Sequence, residues 1–131
     1  LLLLLLLLLL LLLLLSETRV SCLPNQNCIL PCRFENGIKS IYWSSNSQRS
    51  LIVSYDQGNF SYSESFRSRA SLFEDQISRG NGDLLLRGVK VDDEGEYWCY
   101  VIDDTIRHRV FLTVEGRTSY FKNKNFAEMR L

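Results

Sequence analysis

The chain has 131 residues, enough for one domain around a single core, and its fifteen Lys/Arg balance its fifteen Asp/Glu. The balance is uneven: residues 16–116 carry eleven basic against fourteen acidic side chains, a net of −3, while residues 117–131 carry four against one, a net of +3. A mildly acidic body without a basic stripe speaks against nucleic acid as a partner, and a single histidine leaves little material for catalysis.

Residues 1–15 are all leucine. In a helix they would span about 22 Å, short of the roughly 30 Å hydrocarbon core of a bilayer, and they match the apolar region of a secretory signal peptide. Without a basic leading segment or an Ala-x-Ala cleavage pattern, a low-complexity repeat is the alternative reading. The folded domain is expected over residues 16–116. Alternation of apolar and polar residues predicts strands at Thr18–Cys22, Cys28–Phe34, Ser40–Ser45 and Leu51–Tyr55. Beyond a turn at Asp56-Gln57-Gly58-Asn59 a short strand is expected, followed by Ala70–Phe73, Asp83–Leu86, Glu96–Ile102 and His108–Val114. Gly80-Asn81-Gly82 marks the turn into the Asp83 strand. Pro31 fits its strand only where the missing N–H would face solvent or a bulge. Asn59-Phe60-Ser61 is the single acceptor triplet for N-linked sugar, and a glycan on Asn59 is expected on a surface away from any docking face. Residues 117–131, basic and without alternation, read as a solvated stalk or an incomplete end, with no further hydrophobic run long enough for a membrane span.

Four cysteines in a small chain with a secretory-type start imply an oxidising compartment and two disulfides, for which three pairings exist. A metal site built on Cys22, Cys28 and Cys32 is the rival reading, but their spacing fits no common zinc pattern and the lone histidine is His108. No metal and no cofactor are expected.

The run Asp93-Glu94-Gly95-Glu96-Tyr97-Trp98-Cys99, with Cys32 upstream and Trp43 eleven residues after it, resembles the F strand and its partners in an immunoglobulin variable-type domain. The resemblance implies an all-β V-set sandwich, two antiparallel sheets joined by Greek-key connections. It implies a Cys32–Cys99 bridge between the sheets, Trp43 packed on that bridge and Tyr97 as a tyrosine corner, which leaves Cys22 and Cys28 to close a short loop across Leu23–Asn27. The 67 residues separating Cys32 from Cys99 leave room for the two extra strands of the variable type. In the chain-entropy picture the long loop stabilises by about 4 kcal/mol and the short one by about 2 kcal/mol. Arg69 and Asp93 look like the ion pair that closes the bottom of such a sandwich.

With Cys32, Trp43 and Cys99 facing inward, the two-residue period sends Leu30, Phe34, Ile41, Leu84, Leu86, Val89, Tyr97, Val101, Leu112 and Val114 to the core. The same parity sends Tyr42, Trp98, Tyr100 and Phe111 outward on one sheet. Full burial of a large apolar side chain is worth about 1.5–3 kcal/mol, so four exposed aromatics call for a cover, and a protein partner is the expected one. Cross-strand aromatic pairs that merely stabilise the sheet are the plainer alternative.

Ser65-Phe66-Arg67-Ser68-Arg69-Ala70-Ser71-Leu72-Phe73-Glu74-Asp75-Gln76-Ile77, followed by Gly80-Asn81 and Leu84-Leu85-Leu86-Arg87-Gly88-Val89, is similar to the D-to-E region of the T-cell costimulatory and coinhibitory ligands and their butyrophilin relatives, programmed-death ligands among them. The resemblance covers Cys28 to Gly116. It implies a binding module outside the plasma membrane, or secreted, that engages a protein receptor on lymphocytes and modulates T-cell activation. It marks Tyr42, Tyr100 and Arg109 as receptor contacts; outward parity adds Trp98 and Phe111, and the connection Asp103–Arg107 is expected to contribute specificity. Such ligands carry a second, constant-type domain and a span, so membrane attachment is expected of a longer protein and not of residues 117–131. Trp98 before Cys99 is similar instead to the polymeric immunoglobulin receptor and its myeloid relatives, which makes an innate immune receptor the alternative. An antigen-receptor variable domain is disfavoured because Val110–Val114 lacks a preceding Gly-x-Gly. An enzyme is not expected: His108, read as a solvated residue on an edge strand between Arg107 and Arg109, has no serine or cysteine motif with it.

Overall fold

The Pro31 N–H that does not exist, and a bulge one strand further on, decide how the predicted strands are trimmed. In the computed structural model residues 1–15, 18–45, 50–101 and 106–115 are described. Leu2–Leu15 form a helix, α1, whose leucines up to Leu12 are all more than half exposed. No described helix is long and apolar enough to cross a membrane. The strands are β1 (Thr18–Cys22), β2 (Cys28–Leu30), β3 (Ser40–Ser45), β4 (Ser50–Asp56), β5 (Asn59–Tyr62), β6 (Ala70–Leu72), β7 (Leu84–Leu86), β8 (Gly95–Val101) and β9 (Ile106–Val114), with one short helical turn, α2 (Glu74–Ile77), between β6 and β7. They form the expected variable-type sandwich, a six-stranded sheet in the order β1-β9-β8-β3-β4-β5 facing a three-stranded sheet β2-β7-β6. All pairings are antiparallel except β1 with β9. The short strand expected after the Asp56–Asn59 turn is β5, paired with β4 at the sheet edge.

β4 extends one residue at each end of the predicted strand, β8 starts at Gly95 and β9 at Ile106, while three other boundaries fall short of the sequence reading. The strand expected over Cys28–Phe34 stops at Leu30 because Pro31 has no donor for the ladder. Past it the backbone is held irregularly: Cys32 N–H donates to Asp83 Oδ1 at 2.7 Å, Gly82 N–H to the Cys32 carbonyl at 2.7 Å and Phe34 N–H to the Gly80 carbonyl at 2.9 Å. Asp83 therefore leaves the strand predicted over Asp83–Leu86 to act as a buried acceptor, 4% exposed, and β7 begins at Leu84. In β4 an extra residue at Ile52 shifts the register between Trp43 and Ser44, so that Ile52 and Val53, adjacent in sequence, are both fully buried. β6, predicted over Ala70–Phe73, ends at Leu72, one residue early.

The core is built around the two elements that cross between sheets. Cys32 and Cys99 are bonded, and Trp43 lies directly opposite Cys99 in the β3–β8 register, fully buried with its Nε1 donating to the Gly82 carbonyl at 2.8 Å. A Cβ on Gly82 would fall 2.3 Å from Ile41 Cδ1 and 3.1 Å from the Cys32 carbonyl, so Ile41 would have to move to admit one. Cys22 and Cys28 are also bonded. Because β1 belongs to the large sheet and β2 to the small one, this short link is a second tie between the layers. Leu30, Ile41, Leu84, Leu86, Val89, Tyr97, Val101, Leu112 and Val114 are all buried. Phe34 is half-buried instead, at the rim of the core, where its ring meets that of His108 edge-on at 5.0 Å. His108 is thus not a solvated edge residue: β9 is flanked by both β1 and β8, and the histidine shares the inward parity of Val110.

At the opposite end Arg69 clamps Asp93. Its Nη2 pairs with Oδ2, its Nη1 reaches Oδ1 at 3.2 Å, and the carboxylate also accepts the Lys90 N–H at 2.8 Å. The Tyr97 hydroxyl donates to the Asp93 carbonyl at 2.5 Å, four residues upstream. Burial, and secondarily the Asp93 charge, push the Tyr97 phenol above its ordinary pKa of 10.0, with Arg69 opposing.

Two outcomes follow from these polar anchors. Asp83→Ala leaves the buried Cys32 N–H without an acceptor and is expected to lower the unfolding free energy by about 2 kcal/mol in denaturant titrations. A group whose folded pKa is raised stabilises fully below its unfolded pKa and loses that contribution as pH climbs towards the folded value. Above about pH 10 the parent should therefore lose stability faster than Tyr97→Phe, by up to about 1.4 kcal/mol per pH unit; parallel pH slopes would remove the proposed cause.

Candidate functional site

Parity and register together assemble one face. Since Trp43 and Cys99 point inward, Tyr42 and Ser44 of β3 and Trp98 and Tyr100 of β8 point outward. The register sets Tyr42 opposite Tyr100 and Ser44 opposite Trp98; on the next strand Arg107 lies opposite Tyr100, Arg109 opposite Trp98 and Phe111 opposite Glu96. β1 adds Arg19 beside Phe111. Tyr42, Trp98, Tyr100 and Phe111, the four aromatics expected outside, are each half-buried on this outer surface.

What covers them is arginine. The Arg107 guanidinium lies 4.8 Å over Tyr100, whose ring stacks on Tyr42 at 5.0 Å with planes 5° apart. Arg109 is shared between Trp98 at 5.7 Å and Phe111 at 5.2 Å, and Arg19 approaches Phe111 from the far side at 5.5 Å. Two ladders result, Arg19-Phe111-Arg109-Trp98 and Arg107-Tyr100-Tyr42. Each cation gains a ring face, and each long stem shields apolar area that the sequence reading left bare. Glu96 faces Arg109 at 3.7 Å. The small Ser44 separates Trp98 from Leu51, which is 39% exposed on the next strand.

The sequence reading found the aromatics and Arg109 and overlooked Arg19 and Leu51. The arginines at 107 and 109 followed by Phe111 were a visible two-residue rhythm, but which ring each covers depends on the β8–β9 register. Arg19 reaches Phe111 only because β1 runs parallel along β9. Of the connection Asp103–Arg107 expected to add specificity, residues 103–105 lie outside the described residues, as do 116–131.

Asn59 needs a correction. β5 belongs to the same sheet, and Phe60 opposite Tyr55 packs against the core, so its neighbours Asn59 and Ser61 turn outward. Ser61 lies opposite Ser54, itself opposite Tyr42. The exposed Asn59 is therefore at the edge of the aromatic face rather than on a surface away from it, because strand pairing carries the triplet onto that sheet.

Among the described residues no three His, Cys, Asp or Glu side chains come together as a metal cage, and Cys22, Cys28, Cys32 and Cys99 are all in disulfides. The arrangement is an outer surface across β1, β9, β8 and β3 on which rings and cations alternate.

Comparison with known proteins places this surface in context. The family profile described as Immunoglobulin V-set domain matches residues 16–114. The human V-set domain-containing T-cell activation inhibitor 1 is 37% identical over 81 residues, which are 56% of this chain and 29% of that protein. Human butyrophilin subfamily 1 member A1 is 30% identical over 82 residues, 57% of this chain and 16% of its own length. The chain thus spans less than a third of these curated relatives. The crystal structure of the human B7-H4 IgV-like domain superposes with a TM-score of 0.64 at 27% identity, covering 76% of this chain and 92% of that one. These are relatives of the kind that the segment from Ser65 to Val89 resembles.

Proposed function

The chain belongs to the immunoglobulin V-set domain family, and from that premise we propose that it is a ligand module that docks a lymphocyte receptor through the outer face of β3, β8 and β9 and so modulates T-cell activation. The observation that carries the reading is the ordered aromatic row itself. Tyr42, Tyr100 and Trp98 sit half-covered on a sheet surface, pre-stacked and held by arginines, and rigid Tyr and Trp on such a surface are the side chains that dominate binding energy at protein interfaces. Similarity to a protein named a T-cell activation inhibitor supports the choice of partner cell. The module works on the extracellular side of the plasma membrane or as a secreted protein, in keeping with two disulfides, and the leucine helix serves as its secretory leader. Asn59 carries an N-linked glycan that borders the docking face on the β5 side and leaves the β9 side open.

The full chain, tetramerised on streptavidin, is expected to stain activated T lymphocytes, and Tyr42→Ala and Tyr100→Ala should each raise the half-saturating concentration at least about tenfold. Staining by both variants equal to the parent would remove the site. On the chain secreted from mammalian cells, peptide N-glycosidase should increase gel mobility, and Asn59→Gln should abolish that shift.

A further inference from the structure

The side chains that lie over the aromatic rings also specify what the partner looks like; this inference rests on the docking face proposed above. On the outward positions of β1, β9 and β8 the charged residues are Arg19, Arg107, Arg109 and Glu96, three cations to one carboxylate. They sit on a domain whose residues 16–116 are acidic, at a net of −3. The face is therefore polarised against the rest of the molecule. Arg107 is the sharpest element of it. Its guanidinium is held over Tyr100 at 4.8 Å, an attraction that uses the charge and leaves the planar fork of N–H donors available. The residue is exposed, and among the described residues no carboxylate pairs with it. By contrast Arg109 is already faced by Glu96 at 3.7 Å.

We propose that this face receives an acidic protein surface, with a partner carboxylate bound by Arg107 and partner apolar side chains seated on Tyr42, Trp98 and Phe111. A guanidinium fixed on a ring has lost its rotamer freedom before the encounter, so less entropy is lost when the carboxylate arrives. Charge complementarity of this kind speeds encounter and fixes orientation. A polyanion such as a sulfated glycan fits worse: it favours a continuous basic stripe, whereas here every cation alternates with a ring and the body carries excess negative charge.

The test uses the tetramerised full chain on activated T lymphocytes in isotonic buffers of about 50 and about 150 mM NaCl, sucrose making up the difference in the first. The half-saturating concentration should rise several-fold at the higher salt. Arg107→Glu should weaken staining at least about tenfold, with Arg107→Lys milder because it keeps the charge and loses the fork. Should reversal shift the thermal transition, Arg107→Gln carries the same test, with an expected loss of about threefold to tenfold. Excess soluble heparin is expected to leave staining intact; competition by heparin together with loss after heparinase treatment of the cells would assign the face to a sulfated glycan and overturn the proposal. If salt and all Arg107 variants are without effect while Tyr42→Ala and Tyr100→Ala still abolish staining, the docking face stands and the acidic partner does not. Unchanged staining by the tyrosine variants would instead overturn the face, and this inference with it.

Discussion

The tie between Cys32 and Cys99, with Trp43 in register beside it, sets the phase of the large sheet. A two-residue period has only two settings, and a covalent link into the core fixes one of them for β8; pairing then passes the same setting to β3 and β9. Everything on the outer face inherits its orientation from that choice. The second tie, Cys22–Cys28, acts on the margin, where it fastens the parallel strand β1 of one sheet to β2 of the other. It also fastens the strand that sets Arg19 beside Phe111, so a link six residues long bears on the make-up of the aromatic face.

The energetic argument from exposed aromatics changes once register is known. Four bare rings on a sheet would amount to an apolar patch, and the natural inference would be a greasy interface. Arginine stems and guanidinium groups over three of them convert that patch into a mixed surface, with rings supplying area and cations supplying direction. The two readings of the aromatics, sheet stabilisers or partner contacts, are then not exclusive: Tyr42 on Tyr100 is a cross-strand pair and an outward-facing one at once.

Opposite ends of the sandwich solve the same problem by different means. At one end Pro31 interrupts a ladder, and Asp83 supplies an acceptor for the Cys32 N–H while Gly82 lets Trp43 and Ile41 close over the gap. At the other, the half-buried Arg69 pairs with the buried Asp93 carboxylate, which also accepts the Lys90 N–H, while the Tyr97 hydroxyl donates to the Asp93 backbone carbonyl. Low-dielectric surroundings make each group costly alone and stabilising together.

Strand positions, the inward and outward sets and the family were legible in the amino-acid sequence, because alternation and cysteine, tryptophan and tyrosine spacing are local and periodic. The trimming of Cys28–Phe34 at Pro31 was foreshadowed by the missing donor, whereas the bulge at Ile52 and the half-burial of Phe34 against His108 had no local signal. Which arginine covers which ring, the reach of Arg19 to Phe111 and the placement of Asn59 on the sheet that carries the aromatic face were decided only by tertiary structure. The reason is that periodicity specifies a side chain's face within its own strand, while its neighbours on that face are chosen by strand order and register, which depend on how distant parts of the chain pack.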